Sequence, residues 1–244
     1  MKITEHIYQV SGNSFGTNSS TYIAEAGEQL ILFDAGYSAY QLEVVSNTLK
    51  YWHLDQKKIT HTFLTHVHMD HAANAKKLQD LGSKILIGEK DAPILEHGGP
   101  EALEKLFQRE FTTCVPDILL KDGNIFRFGN LKITCISLPG HTPGSMGFLV
   151  EDNGTNCFVT GDFVALGAVE PDESDQEVLL SAMIKPGFQE EKYGESLKKA
   201  VSIQADILLT GHLLPYVGNP KKIFEKAYKK YVEEEKNILD LNDV

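Results

Sequence analysis

Cysteine is scarce in this chain, and what little there is excludes a disulfide scaffold. Cys114, Cys135 and Cys157 are an odd number without close spacing, and the last two lie in apolar runs. They read as buried free thiols of a reducing cytoplasm, which is the expected location. No apolar run approaches the roughly 20 residues that cross a bilayer. The N-terminus, Met1 to Val10, alternates like an edge strand and lacks the uninterrupted apolar core of a signal peptide. No membrane partner is therefore expected. Basic residues are also few, 23 against 34 acidic ones, for a formal net charge of -11. The field of such a molecule repels polyanions, which makes nucleic acid a poor partner. Tandem repeats and low-complexity segments are missing. With 244 residues, 42% of them hydrophobic, the chain has ample material for a core and is expected to form one domain over residues 1–244.

Against this plain background one segment stands out: Thr65-His66-Val67-His68-Met69-Asp70-His71 follows an apolar run and packs three imidazoles and a carboxylate into six positions. Neutral imidazole nitrogen and ionised carboxylate oxygen suit Zn, Mn or Fe. His66 and His68 can project to one point from a turning segment, while Asp70 and His71 begin the next element. The ladder Ala72, Ala75, Leu78, Leu81, with Gly82 beyond it, predicts one helix that has Asp70 near its N-terminus, where a carboxylate is favoured.

Three further strand-like runs end in a donor that follows a glycine: Ile133 to Gly140 into His141, Cys157 to Gly161 into Asp162, and Asp206 to Gly211 into His212. A glycine lets the backbone turn sharply at a strand end and aim the next side chain out of the sheet. A lone histidine in such a place is ordinarily a satisfied surface or core residue. Repetition of one arrangement points instead to a shared rim.

On these residues the chain resembles the metallo-β-lactamase superfamily. His66, His68, Asp70 and His71 meet its His-x-His-x-Asp-His motif, Gly140-His141-Thr142-Pro143-Gly144-Ser145 is similar to its second histidine segment, and Gly161-Asp162 and Gly211-His212 to its later motifs. Leu32-Phe33-Asp34-Ala35-Gly36 resembles its first motif. The resemblance implies an α/β (α+β) fold, a four-layer αββα sandwich of two mixed β-sheets with the metals at one edge. It also implies two divalent ions, one on His66, His68 and His141 and one on Asp70, His71 and His212, with Asp162 bridging and Asp34 supporting the ligands from outside. Zinc is the first choice on donor chemistry, with iron or manganese as alternatives. A hydroxide shared by ions roughly 3.5 to 4 Å apart would be the nucleophile, and Asp70 is read as a proton acceptor as well as a ligand. No dedicated general acid is visible.

The function expected on this resemblance is hydrolysis of an ester, thioester or lactone of small-molecule size. Phe163-Val164-Ala165 stands where the lactonases carry a catalytic tyrosine, and the stretch after His212 is short for the helical substrate domain of glyoxalase II. The alternatives are a mononuclear-iron persulfide dioxygenase of the same fold, a phosphodiesterase, and a metal-stabilised binding protein without turnover. Loops Glu96 to Lys121 and Phe163 to Gln189 are long enough to shape a pocket, with Phe163, Met183, Phe188 and Tyr216 as candidate walls, although core packing explains each of those equally well. The run Asp172 to Asp175 reads as solvated surface. Asn219-Pro220 reads as a cap opening a C-terminal helix with an apolar face at Phe224, Ala227, Tyr228 and Tyr231, which either packs on a sheet or joins a homodimer.

Overall fold

The computed structural model describes residues 1–167 and 177–242, with side chains described up to residue 233, so the expected acidic surface at Asp172 to Asp175 lies outside the described residues. Two six-stranded sheets dominate the structure. The first contains β1 (Ile7–Ser11), β2 (Thr21–Ala26), β3 (Gln29–Phe33), β4 (Lys58–Phe63), β5 (Lys84–Gly88) and β6 (Ile118–Leu120), in that spatial order. The second contains β7 (Ile125–Phe128), β8 (Leu131–Ser137), β9 (Met146–Asp152), β10 (Thr155–Gly161), β13 (Ile207–Thr210) and β14 (Tyr216–Val217), in the order β14-β13-β10-β9-β8-β7. Between β10 and β13 a small ribbon pairs β11 (Val164–Leu166) with β12 (Val178–Leu180).

Both large sheets are mixed. β3 to β6 run parallel while β1, β2 and β3 are antiparallel, and in the second sheet only β10 and β13 are parallel neighbours. Strand alternation assigns the layers. On β3, Leu30 and Leu32 pack with Val45 and Leu49 of helix α1 (Ala39–Tyr51), whereas Ile31 and Phe33 face Phe148 and Val150 of β9 across the sheet-to-sheet core. On β10, Cys157 and Val159 join that same core, while Phe158 points outward to Tyr193 and Leu197 of α6 (Glu190–Ala200) and to Phe224 of α7 (Pro220–Asn242). Three apolar cores therefore separate four layers, helix, sheet, sheet and helix. Strands buried on both faces, such as Leu30-Ile31-Leu32-Phe33, read as unbroken apolar runs for this reason.

The remaining helices, α2 (Met69–Ala72), α3 (Ala75–Asp80), α4 (Ala92–His97) and α5 (Glu104–Phe107), are short. The single helix expected from Asp70 to Leu81 is in fact α2 and α3, broken at Asn74. The Asn74 side-chain amide donates to the carbonyls of Ala35 (3.1 Å) and Ser38 (3.0 Å), so this turn is tied to the loop after β3. Leu81, assigned to the apolar ladder, is exposed. The N-terminal strand begins at Ile7 and not at Ile3, because Ile3 N–H turns back to donate to the Ile7 carbonyl. The short strands β6, β11, β12 and β14 carry too few residues for alternation to reveal them. α7 starts at Pro220 as expected, with the Asn219 side chain accepting from Lys221 N–H at 3.2 Å, and its face of Phe224, Ala227 and Tyr231 packs on the second sheet.

A polar tie also crosses between the sheets. Tyr22, buried on β2, donates its hydroxyl to the Thr210 carbonyl of β13 at 2.7 Å. Tyr22→Phe keeps the ring and deprives that buried carbonyl of its donor. Equilibrium denaturation is expected to show a loss of about 1 to 2 kcal/mol, and an unchanged midpoint would mean that the tie contributes nothing.

Candidate metal centre

The strand ends converge. Asp34 follows β3, His66 and His68 follow β4, His141 follows β8, Asp162 follows β10 and His212 follows β13. Since β3 runs parallel to β4, and β10 to β13, each pair delivers its C-terminal residues to one edge. Two glycines permit the approach for different reasons. Gly161 has φ +53, and a Cβ there would lie 2.4 Å from Thr65 Oγ1, so the turn into Asp162 nests against the loop that carries His66. Gly211 needs room and not an unusual backbone angle, because a Cβ on it would meet Asp162 Oδ1 at 2.3 Å. That corrects the expectation of one common turn at all three glycine-donor steps.

Seven donors form two adjoining clusters: His66, His68 and His141 in one, and Asp70, His71, Asp162 and His212 in the other, with the ligand atoms within each no more than 4.8 Å apart. Every donor proposed from the sequence is present. The rings of the first cluster have centroids 4.5 to 4.7 Å apart. Asp162 lies between the clusters, with Oδ2 3.6 Å from His141 Nε2 and 3.2 Å from His212 Nε2. Asp70 Oδ2 stands 3.2 Å from His212 Nε2. The centre opens to solvent on the side of the second cluster, where the His212 and Asp162 side chains are 27% and 16% exposed, whereas the other five donors are buried.

The donor chemistry fits cations, and the decisive observation is what the imidazoles lack. Nε2 of His66, His68 and His141 is buried without a hydrogen-bond partner. Buried polar atoms are ordinarily satisfied, and three unpartnered ring nitrogens on neighbouring imidazoles are what a metal ion would satisfy. Hydrogen bonds to the opposite ring nitrogens orient several of these side chains. His71 Nδ1 lies 2.8 Å from Asp34 Oδ2, His141 Nδ1 2.7 Å from Ser181 Oγ, His212 Nδ1 3.1 Å from the Asn18 carbonyl and His66 Nδ1 3.0 Å from Thr65 Oγ1. Partners of this kind hold a proton on Nδ1 and leave Nε2 free to ligate. Asp34 does more, accepting from Thr65 N–H (2.7 Å) and hydroxyl as well, with its own backbone at φ 62.

Electrostatics divides the two clusters. Burial drives His66 well below the usual histidine range, carries His68 down to about 3 and also lowers His141, so these rings are neutral at pH 7. Burial acts in the same direction on His71, but the Asp162, Asp70 and Asp34 carboxylates outweigh it and hold that ring well above its ordinary value. His212 is likewise desolvated, yet its contacts with Asp162 and Asp70 raise it to about 10. For Asp162 and Asp70 burial is again opposed, chiefly by His71, and both carboxyls remain ionised. The second cluster thus holds protons in the places a cation would take.

Sequence reading missed three contributors. Asn18, exposed in the β1–β2 loop, donates its amide to Asp70 Oδ2 at 3.2 Å while its carbonyl faces His212. Ser181 follows β12, and Asp91 is buried at the start of α4. None lies in the histidine motifs, and only three-dimensional contact reveals them. Of the candidate walls, Phe163 is core, Phe188 and Tyr216 pack against the outer core of the second sheet, and Met183 is exposed. The family model described as the metallo-beta-lactamase superfamily matches residues 15–212. The chain belongs to that superfamily. It is 28% identical over 125 residues to a hydroxyacylglutathione hydrolase of Haemophilus influenzae, covering 49% of this chain and 58% of the relative. Over 170 residues it is 26% identical to an atrochrysone carboxyl ACP thioesterase of Paecilomyces divaricatus, covering 67% and 46%. The chain thus spans about half the length of the curated relatives it matches. Among solved structures, the FEZ-1 metallo-beta-lactamase of Legionella gormanii superposes with a TM-score of 0.75 at 19% identity, over 97% of this chain and 95% of that one, which shows the shared αββα fold.

The unequal protonation of the clusters is testable. Metal uptake by the quartet must displace the protons on His71 and His212, so its affinity is expected to rise with pH through the neutral range, while uptake by the three neutral imidazoles stays nearly flat. Calorimetric titration in buffers of different ionisation enthalpy measures this, and equal proton release at the two clusters would contradict it.

Proposed function

We propose that this chain is a dinuclear metal-dependent hydrolase of thioesters, with zinc as the first choice of ion, acting on a small-molecule acyl substrate. The reading rests above all on the three buried Nε2 atoms without partners, set beside a second donor cluster that is partly open. When bound, divalent ions supply Lewis acidity, which polarises an acyl carbonyl and makes water nucleophilic near neutral pH. His66, His68 and His141 would hold one ion, Asp70, His71 and His212 the other, with Asp162 shared between them.

The residues around the centre do the positioning. Asp34 fixes His71, Ser181 fixes His141, and the Asn18 carbonyl fixes His212, so each ring presents Nε2 without a rotamer search. Asp70, buried, ionised and hydrogen-bonded to Asn18 at Oδ2, is the carboxylate of the cluster that would accept a proton as reaction proceeds. Substrate approaches over His212 and Asp162, the two donors that solvent reaches.

The choice of thioester follows from the leaving group. Hydrogen-bond partners of the seven donors among the described residues are hydroxyl, amide, carboxylate, imidazole and backbone groups, with no lysine, cysteine or tyrosine among them. A thiol has a pKa of about 8.5 and departs as thiolate without a proton, whereas an alkoxide needs one. Acylglutathione and acyl carrier protein esters, named by the two relatives, are both thioesters.

Protein reconstituted with two equivalents of zinc is expected to release free thiol from S-acylglutathione or acyl-coenzyme A, detected with a thiol-reactive dye. Chelation abolishes the activity, and Asp162→Asn lowers kcat by at least about 100-fold with the fold intact. Metal-loaded protein that leaves every thioester untouched would overturn the assignment. One iron per chain with oxygen uptake on a persulfide would replace it by a dioxygenase.

A further inference from the structure

We infer that Asp91 is the positioning residue of the three-imidazole cluster, clamping the loop that carries His66 and His68 to the loop that carries His141. This rests on the metal-dependent reading above. Asp91 precedes α4 in the N-cap position, where an aspartate normally turns its side chain onto the helix's own N–H groups; here it makes no such bond. Its carboxylate instead reaches across two other loops. Oδ2 accepts from Val67 N–H at 3.1 Å and from the Thr142 hydroxyl at 2.6 Å, and Oδ1 accepts from Gly144 N–H at 2.6 Å. Val67 stands between His66 and His68, and Thr142 directly follows His141.

The junction admits no added side chain. A Cβ on Gly144 would lie 2.4 Å from Asp91 N and 2.6 Å from Oδ1, and one on Gly88 would lie 2.0 Å from the Gly144 carbonyl. Asp91 itself is fully buried, and among the described residues it has no ion-pair partner. Burial pushes its carboxyl up to about 6, against the pull of its three donors. A buried carboxylate without a cation lowers stability unless its hydrogen bonds repay the desolvation, and these bonds are spent on the two ligand loops.

His68 shows why the clamp matters. His66 and His141 have hydroxyl partners on Nδ1, whereas the His68 ring has no hydrogen bond among the described residues. Its direction is set by the backbone on which it sits, and Asp91 holds that backbone one residue away, at Val67 N–H.

The test is metal titration with a competing chromophoric chelator, using Zn²⁺ for affinity and Co²⁺ for the visible spectrum. His141→Ala and His212→Ala identify which binding event belongs to which cluster. Asp91→Asn is expected to weaken the three-imidazole site by about 10- to 100-fold and alter its Co²⁺ spectrum, while the quartet changes by less than about threefold. The quartet in the same molecule serves as the control for folding. Should Asp91→Asn fail to fold, Thr142→Val removes one donor and keeps the carboxylate; a smaller weakening confined to the same cluster is then expected. Wild-type affinity at both clusters, or equal weakening of both, overturns the proposal. A wild-type protein that takes up no metal at all would defeat the metal reading itself, and this inference with it.

Discussion

Unsatisfied imidazole nitrogen, held away from water, is the constraint on which the site depends. A protein interior that leaves Nε2 of His66, His68 and His141 without partners forgoes hydrogen bonds it would otherwise make, and three charged rings could not coexist at centroid distances under 5 Å. Burial resolves the conflict by keeping them neutral. The adjoining quartet resolves it differently, by pairing His71 and His212 with Asp70 and Asp162. Two neighbouring solutions to one electrostatic problem give a centre with a neutral half and an ionic half, and each is receptive to a cation by a different route: lone pairs in the first, exchangeable protons in the second.

Two aspartates outside the donor set carry the mechanical burden. Asp34 binds the turn after β4 at Thr65 and orients His71, while Asp91 joins the two loops of the imidazole trio. Both are buried, and both work through backbone N–H groups as well as side chains. Anchoring backbone is the stronger device, because it fixes the segment from which the ligand projects and not only the angle of one ring. The fold supports them with apolar cores on both faces of the first sheet, so the strand ends that carry the donors have little freedom to move.

Among the described residues the direct hydrogen-bond partners of the seven donors are hydroxyl, amide, carboxylate, imidazole and backbone groups. Two relatives are named for thioester substrates, whereas the fold alone, shared with a β-lactamase at 19% identity, does not discriminate among chemistries.

The candidate donors were legible in the sequence because histidine and carboxylate side chains recur there in motifs, His66 to His212, and the fold brings those seven side chains together. The four-layer architecture was legible only through the family resemblance, although period-two alternation in runs such as Ile133-Thr134-Cys135 is a direct imprint of a half-buried strand. Asn18, Ser181 and Asp91 were not. Each is a common polar residue outside the histidine motifs, and its role arises from partners 24 to 194 positions away that no local pattern records. The break at Asn74 was hidden for the same reason, because an amide that reaches Ala35 and Ser38 overrides a helical ladder. Composition and spacing determined which side chains are candidate donors; only packing between distant segments decided which groups hold those side chains still, because hydrogen bonds are satisfied in space and not along the chain.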